Sequence, residues 1–239
     1  MSLARGAVRV SGELLMTTGV LLLLFLAWQL WWTDVEADRA QARTTAALER
    51  QWQAAAAEPA EPEGTAPAEA PAPPAEPVLA SLPTEAVALL RVPAFGEDYV
   101  RPVVAGTGEL ELQQGVGHYD GTADPGEVGN FAVAGHRTTY GAPFNPIAEL
   151  RPGDPVVVET ATEFHVYRVE RSEIVLPTDV EVIAPVPDRP GEEPTEAWLT
   201  MTSCHPMYSA RERYVVHALL ESTTARADGP PAVLAGAGA

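Results

Sequence analysis

Between positions 58 and 77 the chain alternates Ala, Glu and Pro. A stretch of that composition cannot build a core, because proline removes backbone donors and favours an extended, solvated conformation. Whatever folds must lie on one side of it. The upstream side is a long apolar run followed by an Ala-rich polar segment, so the folded unit is expected over residues 85–224. At about 140 residues that is an ordinary single-domain length. The spacer itself reads as semi-rigid and self-repelling.

Residues 14–32 are uncharged over about nineteen positions, close to what a helix needs to cross the hydrocarbon core. Trp28, Trp31 and Trp32 gather at the far end, where amphipathic rings favour the headgroup region. Arg5 and Arg9 precede the run; Asp34, Glu36 and Asp38 follow it. The positive-inside rule then places residues 1–13 in the cytoplasm and everything beyond the anchor outside. A cleaved signal peptide fits less well, since bulky Trp-Gln-Leu-Trp-Trp stands where small residues are needed. The expected order is a cytoplasmic N-terminus (1–13), a transmembrane anchor (14–32), a stalk and disordered linker (33–84), the folded domain (85–224) and a flexible tail (225–239).

A formal net charge of −18 excludes nucleic acid as a partner, because a phosphate backbone requires basic surface. One cysteine permits no internal disulfide, and lysine is absent. The histidines have no short ligand spacing, so neither a metal nor any other cofactor is expected. No Gly-x-Ser-x-Gly elbow is present.

Inside the domain, β-type segments dominate: 87–92, 99–104, 131–134, 155–159, 164–174, 197–203 and 214–220. They are rich in β-branched and aromatic residues and are separated by Gly, Pro, Asp and Thr clusters. Residues 160–163 read as a hairpin connection. Helical signal is confined to 109–114 and 146–150. Such a pattern points to a mainly β barrel or sandwich.

Cys204 lies at the end of one of these strands, in Thr200-Met201-Thr202-Ser203-Cys204-His205-Pro206, where Pro206 must stop the ladder. A free cysteine is often only a packing residue, but an unpaired exported thiol at a strand end also suits a nucleophile. His136 follows another apolar strand and is placed to carry a proton. His118, His165, His205 and His217 compete for that role; His205, adjoining Cys204, should point to the opposite face. Arg213 opens the last strand, where a planar, permanently charged group suits an oxyanion. Arg211 is its nearest competitor.

Together these blocks resemble the sortases, in particular the class E sortases of high-GC Gram-positive bacteria. The likeness rests on Gly117-His118-Tyr119, Pro125-Gly126-Glu127-Val128-Gly129-Asn130, Ala134-Gly135-His136-Arg137, the Cys204 block and Arg213-Tyr214-Val215-Val216-His217, all in the same order. It implies a closed sortase-type β-barrel of about eight strands with short helices. It also implies cleavage of a C-terminal Leu-Ala/Pro-x-Thr-Gly sorting signal between Thr and Gly. The acyl group would pass to a cell-wall precursor amine on a lipid-linked peptidoglycan precursor. By motif, Cys204 matches the nucleophile, His136 the acid/base and Arg213 the oxyanion partner; Thr202 matches the Thr of the pre-cysteine motif, Ser203 stands where the family often has Thr, and these two with Tyr119 are the candidate substrate-binding residues. Met201 stands where the family has Leu, a volume-conserving change. Two readings from other classes remain beside it: a non-catalytic surface domain on a stalk, and a hydrolytic cysteine protease.

Overall fold

The computed structural model describes residues 2–57 and 86–235. The linker expected over 58–84 lies outside the described residues, as do the last four positions of the tail. Helix α1 (Ser2–Ala57) is continuous from the apolar run into the acidic segment. No helix among the described residues is long and apolar enough to cross a membrane. Within the expected anchor, the side chains at positions 27 and 29–31 lie outside the described residues.

The domain is a closed barrel of eight strands in the order β1-β2-β3-β4-β7-β8-β6-β5. The strands are β1 (Ala86–Arg91), β2 (Val100–Ala105), β3 (Val116–His118), β4 (Gly129–Ala134), β5 (Pro155–Glu159), β6 (Glu163–Val175), β7 (Ala197–His205) and β8 (Glu212–Ala225). Strand β2 runs parallel to β3 and β4 parallel to β7; the other pairs are antiparallel. The expected strands all appear. Strand β3 was not anticipated, because three residues flanked and interrupted by glycine carry no alternation. Thr160 closes the β5–β6 hairpin, its amide donating to the Glu163 carbonyl at 2.8 Å. Helix α2 (Glu109–Gln114) forms where expected, and 147–149 is a single 3-10 turn.

Period-two alternation decides which residues fill the barrel. Ala88 and Leu90 of β1 point inward, and the core continues through Phe131, Tyr167, Leu199 and Met201. Leu89 points the other way and is nonetheless fully buried, against Leu48 and Trp52 of α1. The reason lies in α1 itself. Ala37, Gln41, Thr45, Leu48 and Trp52 recur at helical spacing and form one buried stripe. Arg91 ties the contact down, donating to Glu49 at 2.9 Å and to Glu159 at 2.7 Å. Arg226 pairs with Glu159 and lies 4.7 Å over the Trp52 ring. The first part of the expected stalk is therefore a docked helix.

Strand β8 runs on to Ala225, and a short helix α3 (Ala232–Ala235) sets Val233 and Leu234 against Phe164 and Val157. Two apolar side chains in an otherwise Gly/Ala/Pro segment are enough to seat it.

Trp52→Ala should lower stability by about 2 kcal/mol, the worth of one large apolar side chain returned to water. Urea denaturation of wild type and variant measures this; an unchanged midpoint would mean that α1 does not dock.

Candidate active site

The site is assembled by the parallel pairing of β4 with β7, in which Ala134 lies opposite Thr202. Past that point the Gly135 amide donates to the Thr202 carbonyl (3.1 Å), and the Ser203 hydroxyl donates to the Gly135 carbonyl (2.8 Å). These two bonds deliver His136 and Cys204 to the same end of the barrel. Gly135 must be glycine, since a Cβ there would lie 2.6 Å from the ring of fully buried Phe144. The Phe144 amide in turn donates to the His136 carbonyl at 3.0 Å.

On the other side of β7, antiparallel pairing with β8 sets Cys204 directly opposite Arg213. The Arg213 guanidinium donates to the carbonyls of Ala210 and Glu212, both at 3.0 Å. Cys204, His136 and Arg213 line one open cavity of about 290 Å³, together with Thr107, Leu112 and Tyr119. The Tyr119 and Thr202 hydroxyls are hydrogen-bonded at 2.9 Å. A second hollow of about 180 Å³ shares Tyr119, Thr202 and Arg213 and adds apolar Leu176, Val180 and Ile183. Of the expected substrate-binding residues, Tyr119 and Thr202 border both hollows. Ser203 borders the first, with its hydroxyl committed to Gly135.

The competing histidines are engaged elsewhere. His118 bonds to Thr122 and the Ala123 carbonyl, and His165 to Thr223. His205 packs its ring on Tyr214. His217 is fully buried between Thr200 (2.9 Å) and Glu173 (3.0 Å), and burial pushes its pKa down to about 3, so it stays neutral. Glu173, Asp188 and His217 converge within 4.8 Å, but the Arg171 guanidinium pairs with both carboxylates and supplies the positive charge there.

Arg137 carries a role the sequence reading did not assign. Its buried guanidinium donates to the carbonyls of Asn145 (2.8 Å) and Cys204 (3.4 Å) and lies over the Tyr214 ring. It thus braces the His136 loop against the Cys204 strand. Its position directly after His136 was the one available signal.

The His136 Nε2 atom is buried and has no hydrogen-bond partner among the described residues. Burial pushes the imidazole below its ordinary 6.5, and the Glu109 carboxylate pulls it partly back. A thiol, an imidazole and a fixed guanidinium on one cavity can supply a nucleophile, a proton carrier and an anion brace.

A sortase-domain profile matches residues 90–221. The chain belongs to the sortase family. It is similar to Sortase SrtE1 of Streptomyces coelicolor, 35% identical over 236 residues that cover 95% of this chain and 61% of the relative. The chain thus spans about three fifths of that relative's length. Sortase E from Streptomyces avermitilis has 42% identity and a TM-score of 0.58, over 63% of this chain and 97% of that one. Sortase E1 from Streptomyces coelicolor, solved with a tripeptide in its active site, has 36% identity and a TM-score of 0.59, over 65% and 99%. These likenesses agree with the class E resemblance and with the eight-stranded barrel of this sortase.

Because burial disfavours the imidazolium, the His136 ring should titrate with a midpoint below 6.5. NMR titration of the ring carbons measures it; a midpoint at or above 6.5 would contradict the buried placement.

Proposed function

We propose that this sortase cleaves a C-terminal Leu-Ala/Pro-x-Thr-Gly signal on surface proteins between Thr and Gly. It then transfers the acyl group to the amine of a lipid-linked peptidoglycan precursor. The observation that carries the reading is the placement of the chain's one cysteine. Cys204 faces Arg213 across β7–β8 and lines the same cavity as His136.

The Cys204 thiolate attacks the Thr carbonyl carbon and forms the C–S bond, and the oxyanion develops beside the Arg213 guanidinium. On collapse the C–N bond breaks, and the His136 imidazolium gives its proton to the departing Gly amine. The acceptor amine attacks the thioester, its proton passes to His136, and the Cys204 thiolate leaves. Burial favours neutral His136, so it disfavours the imidazolium that this proton transfer uses. The Tyr119–Thr202 pair and the adjoining apolar hollow offer the signal a polar edge beside an apolar pocket. The tripeptide in the active site of the Streptomyces coelicolor sortase E1 supports a peptide substrate here.

The same reading places the enzyme on the outer face of a cell membrane, held by residues 14–32. The support is that Leu15, Leu21, Leu23 and Phe25 of α1 are more than half exposed to solvent, an apolar surface that suits lipid.

Cys204→Ala should abolish cleavage of a Leu-Ala-x-Thr-Gly peptide while the barrel stays folded. Arg213→Lys should lower kcat about 100-fold, since a point charge does not reproduce the guanidinium fork. Turnover near wild type in either variant, followed by chromatography of the released Gly peptide, would remove that residue from the mechanism.

A further inference from the structure

The loop after His136 contains a turn that its own sequence does not favour. Tyr140, Gly141 and Ala142 have φ of 53°, 74° and 40°, so two residues with side chains sit in the left-handed region on either side of a glycine. Such backbone persists only where its surroundings over-determine it. Here the surroundings are α1. Gln41 Nε2 donates to the Tyr140 carbonyl at 2.9 Å, and the Gly141 amide reaches Asp34 Oδ1 at 3.4 Å. The approach is close enough that a Cβ on Gly141 would lie 2.8 Å from Asp38 Oδ1.

Gln41 is 1% exposed, and its Oε1 has no partner. A buried amide on a helix otherwise buried through apolar and hydroxyl side chains is costly unless the bond it makes is needed. That bond is the one to Tyr140. The Tyr140 ring lies 5.0 Å from the His136 ring, so the turn that Gln41 holds also sets the wall against which the imidazole rests. Helix α1 touches α2 as well, and α2 contributes Leu112 to the same cavity.

We propose that the 34–41 segment of α1 is a positioning element of the active site, in which Gln41 holds the 140–142 turn and, through Tyr140, the orientation of His136. The segment begins two residues after Trp32, so the same helix that ends the apolar run buttresses the proton carrier. Gln41 touches no reacting atom and acts only through the loop. The inference rests on the reading of His136 as the acid/base.

The test uses the full chain with a Leu-Ala-x-Thr-Gly peptide and an amine acceptor. Gln41→Leu and Gln41→Met both remove the donor without adding a charge or removing the side chain. Both should lower kcat about 10-fold or more with KM within about twofold, as expected when a catalytic group is misplaced. Both should also raise the NMR midpoint of His136 toward 6.5 as its wall loosens. Asp34→Ala, at a partly exposed position, keeps the test open should the Gln41 variants fail to fold, and should shift kcat and midpoint in the same directions by less. Wild-type kcat and an unmoved His136 midpoint in the folded variants would overturn the proposal. His136→Ala separates the two readings. If it is inactive while the Gln41 variants are normal, only the positioning role fails; if it turns over like wild type, the acid/base assignment fails with it.

Discussion

The parallel pairing of β4 with β7 is the contact on which the site depends. His136 and Cys204 are far apart in sequence, and nothing local brings them together. The ladder from Gly129 opposite Ala197 to Ala134 opposite Thr202 fixes the register. A slip of one residue would send every side chain of β7 to the other face. The bonds from Gly135 to Thr202 and from Ser203 to Gly135 extend that register beyond the last paired residues, and the Arg137 guanidinium locks it from outside. Cys204 is then set against Arg213 by the neighbouring antiparallel pair, so one strand presents its thiol to groups from two others.

Around this ladder several buried polar groups of the barrel are paired. His217 uses both ring nitrogens, one on Thr200 and one on Glu173, and Arg171 pairs with the carboxylates of Glu173 and Asp188. His136 Nε2 and His205 Nδ1, by contrast, are buried without a hydrogen-bond partner among the described residues, and of these two rings it is that of His136 that borders the Cys204 cavity. A ring that is desolvated and unpartnered is poised to exchange a proton with whatever enters the cavity. The outer face of the barrel is also occupied: α1 covers β1 and reaches the His136 loop, so the helix and the site share one surface.

Much of this was legible in the sequence because the signals were local. The β-branched and aromatic content of 164–174 announced a long strand, and Pro206 marked the end of β7. Three separated blocks in order pointed to the family and to Cys204, His136 and Arg213 together. What could not be read depended on distant surfaces. Strand β3 is three residues long and exists only because β2 and β4 flank it. The stripe through Ala37, Gln41, Leu48 and Trp52 is amphipathic, yet Ala-rich composition beside a proline-rich spacer suggested a polar helix or stalk, and the outward-pointing Leu89 explains why it docks. Arg137 lay in a quoted motif, but its contact with the Cys204 carbonyl required the fold.

The central claim is that Cys204 forms an acyl-enzyme that an amine then resolves. Intact-mass spectrometry of wild type with a Leu-Ala-x-Thr-Gly peptide tests it most directly. The prediction is a covalent adduct carrying the peptide up to Thr, located on the Cys204 fragment, which disappears on adding an amine as the ligated peptide appears. An enzyme that releases the Gly fragment without ever carrying an adduct, or yields only the free acid in excess amine, would contradict the account.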